Sequence, residues 1–349
     1  MNFAKVLTLL ITVLLWAQSA GADSGEQNLP LVGSYQGVCL YNIAVQDGYL
    51  FATGRDDKTL YIFDVSNPAS PALLATEGLP GEARDIQVSR KKTKLYIYLA
   101  ITRSGLLTIY EFNPESVSLT NILNYSQIDT PGDLSVRDSY IYVLDWGSGL
   151  RIIDISDISN PQEIGYYRDE QIGPFFISGS YAFIGSGFVI ASLKIIDISD
   201  PRNPSEVGCY EIGQMDGIHD VCVSDSYAFV LWDGPMLGDC CLSIIDVSDI
   251  LRPVQVSELW FAYLYTLSTF DNYILIFGDH DLQVVDISDI AKPHKVRRYS
   301  VQGSHAVVSG YYAYVGSRHD GLLILDCREL CTATNVQPIT WGQIKALFR

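Results

Sequence analysis

Short apolar runs recur along the chain between polar breaks, and one phrase returns almost unchanged. "LRIIDISDISNP" fills Leu150–Pro161, with copies "LYIFDVSNPASP" at Leu60–Pro71, "LKIIDISDPRNP" at Leu193–Pro204, "LSIIDVSDILRP" at Leu242–Pro253 and "LQVVDISDIAKP" at Leu282–Pro293. Two weaker copies are "LTIYEFNPES" from Leu107 and "LLILDCRELC" from Leu322. The aligned acids are Asp64, Glu111, Asp154, Asp197, Asp246, Asp286 and Asp326, spaced by 47, 43, 43, 49, 40 and 40 residues. Ahead of each acid stands an aromatic run, such as "YIYVLD" at Tyr140 or "YAFIGS" at Tyr181. Turn pairs precede most of these runs: Asp47-Gly48, Asp138-Ser139, Gly179-Ser180, Asp225-Ser226 and Asp271-Asn272. Such pairs tolerate the positive φ of a tight hairpin. Another apolar run lies before each turn, and a fourth follows each "NP".

One repeat is therefore four short strands, A to D, in roughly 43 residues, the size of a propeller blade. The prediction is an all-β, seven-bladed β-propeller with four antiparallel strands per blade. Strand C is apolar on both faces, Leu150 and Ile152 on one and Ile153 and Ile155 on the other. A sheet buried between two neighbours needs such a run. The last copy has no strand D of its own. "PLVGSY" at Pro30–Tyr35 matches the D phrases "PSEVGCY" and "PQEIGYY", so the N-terminal strand Leu31–Tyr35 is expected to complete the last blade.

Asp154 ends strand C, where a carboxylate can accept N–H bonds from the turn. The repeat acids Asp64, Asp154, Asp197, Asp246, Asp286 and Asp326 are read as structural. The functional alternative is a set of metal sites, but calcium loops cluster their oxygen ligands more closely than this spacing does.

With this strand order, D–A and B–C loops share one face, and A–B and C–D turns the other. The variable segments are B–C loops, the longest being "WDGPMLGDCC" at Trp232–Cys241. Aligned on their hairpins, the A strands bring Asn42, Asp85, Asp133, Pro174, Asp220, Thr266 and His305 to one level near the channel mouth. The residues just before them include Arg84 and His219. Arg84, Asp85, Asp133, His219, Asp220 and His305 are the candidate ligand-binding residues, able to hold a polar ligand or a divalent cation. The alternative is that they satisfy loop N–H groups and bridge adjacent blades. No H-E-x-x-H, G-x-S-x-G or P-loop motif is present. Hence no catalytic residue, resident metal or cofactor is assigned. His280 and His319 read as polar turn residues.

The net charge of −17, from 23 basic and 40 acidic residues, argues against a nucleic-acid partner. The N-terminus has Lys5, an apolar run Val6–Trp16 and the small-x-small sequence Ala20-Gly21-Ala22. Residues 1–22 read as a secretory signal peptide, with an uncleaved anchor as the alternative. No other segment has the length and apolarity of a membrane span. Residues 23–331 form the expected propeller, a monomer. Residues 332–349 form a linker and a short amphipathic tail with Trp341, Ile344, Leu347 and Phe348 along one face. Among seven cysteines, Cys327 and Cys331 suit a local staple, Cys240-Cys241 are adjacent, and Cys209 and Cys222 suit buried thiols.

The repeated "LRIIDISD…NP…IGYY" with "SYAFI" upstream resembles the LVIVD-repeat family across roughly Leu31–Leu330. The resemblance implies a propeller-type repeat protein that is exported or on the cell surface, and carries over no catalytic residues. The second copy departs most, lacking both the Asp and the final NP. The expected function is a secreted or cell-surface, extracytoplasmic scaffold, non-enzymatic, that binds a protein, peptide or glycan on the D–A/B–C loop face. The alternative is a propeller hydrolase or lyase working at the channel mouth.

Overall fold

A computed structural model describes residues 29–332 apart from 55, 103, 188, 189, 214–216, 235, 237, 279, 280, 302 and 304. The expected signal peptide, the expected C-terminal tail beyond Thr332 and His280 lie outside the described residues, as does the side chain of Cys331. Each A–B–C–D unit forms one four-stranded antiparallel sheet, and there are seven such sheets. In blade 3, for example, the strands are Pro131–Arg137, Tyr140–Asp145, Gly149–Asp154 and Gln162–Arg168, paired in chain order. All seven A–B turns begin at a positive φ, on Asp47, Lys92, Asp138, Gly179, Asp225, Asp271 and Gly310. Blade 2 uses a lysine there, which is why the sequence pattern showed no turn pair at that point.

The cores show that the sheets form a ring. One apolar cluster joins Leu150 and Ile152 of blade 3 to Ala182 and Ile184 of blade 4. Ile153 and Ile155, on the other face of the same strand, pack with Tyr98 and Ile109 of blade 2. Seven such clusters fill the seven inter-blade spaces. One of them packs Tyr314, Leu322 and Ile324 of blade 7 on Leu40 and Leu50 of blade 1, which closes the circle. Leu31–Tyr35 pairs antiparallel with Gly321–Asp326, with Leu31 opposite Leu325 and Tyr35 opposite Leu322. The N-terminal strand therefore is strand D of blade 7.

The repeat acids serve the turns. The Oδ1 atoms of Asp64, Asp154, Asp197, Asp246, Asp286 and Asp326 accept the backbone N–H two residues on, at 2.8–2.9 Å. A second turn of the same kind follows at Asp157, Asp200, Asp249 and Asp289. The residue after each acid also donates to the A–B turn, as Ile155 N does to Ser139 O at 2.7 Å. Glu111 differs: it accepts from Tyr96 Oη at 3.1 Å and pairs with Lys94 at 2.6 Å. In blade 2 the turn is made two residues later, where Asn113 Oδ1 accepts from Glu115 N. The blade stays a regular four-stranded sheet.

The "VGxY" phrase of strand D also has a mechanical role. The C–D pairing slips beside this position, at Ile152/Ile153 in blade 3 and at Leu31/Gly33 in blade 7. The glycine then meets the C–D turn of the next blade. A Cβ on Gly33, Gly165 or Gly208 would lie 2.1, 1.9 or 2.0 Å from the carbonyl oxygen of Pro68, Pro201 or Ile250. Blade 5 has Ser257 at this register, and its Oγ donates to Ile290 O of blade 6 at 2.7 Å.

Candidate functional site

Strands A of neighbouring blades touch one another around the axis. In blades 1 to 6 their pairing to strand B slips at one level, for example between Ala83 and Asp85 and between Pro131 and Leu134. That level is the row of aligned mouth residues, so the slip re-aims their side chains. Three of them bridge to the next blade. Asn42 Nδ2 donates to Arg84 O. Asp85 Oδ2 accepts Leu134 N at 2.9 Å, and Asp220 Oδ2 accepts Leu267 N at 2.7 Å. The second oxygens of Asp85 and Asp220 accept the N–H of Ile86 and Val221. The blade-bridging role therefore holds for Asp85 and Asp220.

The bridging stops at blade 3. The Asp133 carboxyl makes no hydrogen bond among the described residues, Pro174 holds the same level in blade 4, and the A strands of these two blades approach each other least of any neighbouring pair. A cavity of about 300 Å³ opens at this seam. Arg84, Asp133 and His219 line it, together with Trp146 and the glycines 173, 185, 187 and 217. The Arg84 guanidinium lies 4.3 Å over the Trp146 ring. Gly132 makes room for that indole, since a Cβ there would come within 2.1 Å of Nε1. His219 Nε2 hydrogen-bonds Asp233 Oδ1 at 2.7 Å, and its ring meets Tyr265 edge-on at 5.3 Å. Ser186, also on the wall, donates instead to Asp169 and to Gln171 O, each at 3.0 Å.

His305 stands apart from this cavity. Its Nδ1 is buried without a hydrogen-bond partner, as is Thr266 Oγ1 on blade 6. Burial pushes His305 down to about 4, so its ring is neutral at neutral pH. Burial pushes the carboxyls the other way. Asp85 and Asp133 are raised by desolvation, Asp85 further by the Asp133 charge, and Asp220 rises to about 7 although two N–H groups bond its anion. Among the described residues no three His, Cys, Asp or Glu side chains converge to hold a metal ion. Cys222, Cys240 and Cys241 are buried thiols, whereas Cys209 is exposed, because its place in strand D faces outward.

These shifts set a pH dependence. A buried carboxyl raised above 3.8 keeps its proton in the folded state after the unfolded chain has lost it, so stability falls as pH rises through that window. His305 acts oppositely, but only between about 4 and 6.5. The turn acids Asp64, Asp154, Asp197, Asp246 and Asp326 are lowered by turn hydrogen bonds, or in Asp326 chiefly by the Arg328 side chain, and matter only below 3.8. Urea midpoints are expected to be lower at pH 8 than at pH 6.5. A midpoint that rises over this interval would show that Asp85, Asp133 and Asp220 ionise in the folded protein without penalty.

On the same face, Trp146, Ile190, Met236 and Tyr263 are 43, 46, 63 and 53% exposed. Tyr263 sits at φ 57°, which is rare for a bulky residue, and its ring lies over Gly238, where an added Cβ would come within 2.4 Å of it. These apolar residues were not among the sequence candidates. Only their placement in B–C and D–A connections pointed to them.

The LVIVD repeat family matches residues 41–76, 131–169, 175–212, 267–301 and 304–328. The chain belongs to the LVIVD-repeat family. The five matches fall on blades 1, 3, 4, 6 and 7 of the LVIVD propeller. Blades 2 and 5, one without the acid and the other with the long B–C loop, have the same sheet order. No curated protein sequence matches this LVIVD chain. Solved structures share the fold. A Lactobacillus plantarum protein matches with a TM-score of 0.67 and 11% identity over 85% of this chain and 90% of its own. Kuenenia stuttgartiensis hydrazine synthase matches with a TM-score of 0.67 and 13% identity over 88% and 98%. Saccharomyces cerevisiae Sqt1 matches with a TM-score of 0.63 and 7% identity over 86% and 99%. Among the described residues of the LVIVD propeller, no helix is long and apolar enough to cross a membrane.

Proposed function

We propose that this propeller is an exported, non-enzymatic scaffold whose D–A/B–C loop face binds an extracytoplasmic protein, peptide or glycan. One observation carries the reading: exposed aromatic and aliphatic side chains lie on the loop face, where a cavity also opens at the unbridged seam of blades 3 and 4. Trp146, Tyr263 and Arg84 are the residue types that dominate binding energy at interfaces. The leader-like N-terminus and the exported habit of the family support export. A second apolar strip, Leu251, Val254 and Val256, runs along the outside of blade 5, with no aromatic or arginine anchor in it.

The test is capture from envelope extract by the mature chain, run with two variant pairs. Tyr263→Ala with Met236→Ala is expected to lose the captured partner, and Leu251→Ser with Val254→Ser to keep it. The opposite pattern moves the interface to the outer edge of blade 5 and defeats the loop-face reading.

The His219–Asp233 pair beside the cavity favours a second reading, a hydrolase or lyase, because a carboxylate that orients an imidazole prepares a general base. No hydroxyl nucleophile bonds this histidine among the described residues; Ser186 is turned to Asp169. Turnover of an ester or glycoside that His219→Ala abolishes would establish the enzyme.

A further inference from the structure

Resting on the loop-face reading, we infer that the cavity at the seam of blades 3 and 4 is a carboxylate subsite, in which Arg84 receives the carboxylate of an acidic residue or a sugar acid beside the Trp146 ring. Arg90, Arg151, Arg168, Arg297, Arg298 and Arg328 each pair with a carboxylate, whereas Arg84, Arg137, Arg202, Arg252 and Arg318 form no ion pair among the described residues; of these five, Arg84 is the one on the cavity wall. It stacks on Trp146 instead. Stacking occupies the guanidinium's flat face and leaves its N–H edge for a planar, two-oxygen acceptor. The fork is held before any ligand arrives, because Trp146 is itself seated against Gly132.

The other walls agree with this assignment. The cavity, about 300 Å³, suits one side chain or one sugar ring. Its blade 4 wall is bare backbone, and a Cβ on Gly173 would come within 2.9 Å of Gly185 O. The Asp133 carboxyl lines the same cavity without bonding any described residue; burial raises it although the Arg84 charge works against the rise, and when protonated it can donate to a bound carboxylate. An ammonium group entering here would meet the like charge of Arg84. The acids next to the cavity walls are already engaged: Asp169 by Lys194 and Ser186, Asp233 by His219, and Asp85 by two backbone N–H groups.

The experiment follows the Trp146 indole N–H signal of the full ¹⁵N-labelled chain, assigned with Trp146→Phe. The probes are glucuronate and N-acetyl-glutamate amide, each against its neutral counterpart, glucose or N-acetyl-glutamine amide. Saturable shifts are expected with at least one acidic probe and none with the neutral ones; which acid binds distinguishes a sugar from a peptide source. Arg84→Gln is expected to weaken binding at least tenfold, with Arg84→Lys between the two. Gly132→Ala, which displaces Trp146, is expected to weaken it as well, and serves if Arg84→Gln alters the fold. Equal response to acidic and neutral probes, no saturable response to either acid, tighter binding of N-acetyl-lysine amide, or unchanged affinity in Arg84→Gln would each overturn the assignment. The loop-face reading fails separately, through the Tyr263 and Met236 variants.

Discussion

Deleting Pro30–Tyr35 is expected to lower the melting temperature by more than 10 °C, on the order of 5 kcal/mol at about 2–4 °C per kcal/mol for a chain of this size. The segment supplies the whole fourth strand of blade 7 and its ladder to Gly321–Asp326. Each backbone hydrogen bond in that ladder is worth about 1 kcal/mol net. Tyr35 adds an edge-on contact with Phe63 of blade 1 at 5.1 Å, so the segment also ties the last blade to the first. Pro30 O accepts Asp326 N at 2.9 Å, which anchors the turn beyond it. Without the segment, strand C of blade 7 becomes an open edge able to pair with another chain. Calorimetry with size-exclusion chromatography should show both the lowered transition and self-association. A deletion that melts like the parent would mean that the ring holds without its N-terminal clasp.

Gly165→Ala is expected to cost about 2–3 kcal/mol, roughly 5–10 °C, from a single added methyl group. The new carbon would sit 1.9 Å from Pro201 O, a backbone atom of the next blade that cannot swing aside. Gly208→Ala, facing Ile250 O at 2.0 Å, should behave alike. Gly78→Ala is the control. It lies in another strand D, its φ is unexceptional, and nothing stands within 4 Å of the added carbon. A small gain in stability is expected there, since glycine weakens a strand by its backbone entropy. Equal losses at Gly78 and Gly165 would show that the effect is local to strand D and has nothing to do with how blades meet.

Much of this architecture was legible in the repeats. The opposed faces of Leu150/Ile152 and Ile153/Ile155 fall in two different inter-blade cores, as their alternation required. The acid of "IID" proved to be a turn acceptor because strand C ends there and its N–H groups need partners. The site was legible only in part. Alignment placed seven residues at one level, but a level does not say which way a side chain leans. Asp85 and Asp220 reach the next blade's N–H, whereas Asp133 faces a proline-bearing strand and an opening instead. Trp146, Met236 and Tyr263 belong to connections that follow no repeat, so periodicity carried no information about them. Lys92 hid its turn for a similar reason, since a lysine at φ 59° carries no turn signature in its side chain.

The clasp on blade 7 also imposes an order of events. Leu31–Tyr35 is among the first segments of the propeller to be synthesised, and its partner Gly321–Asp326 is the last of its strands. Six sheets assemble from neighbours in the chain, but the seventh waits for the two ends to meet, a contact of the longest sequence separation the fold contains. A nascent chain halted short of Gly321 thus holds finished sheets in an unsealed arc, its first strand without a partner, and stays a target for chaperones and proteases until the final strand arrives.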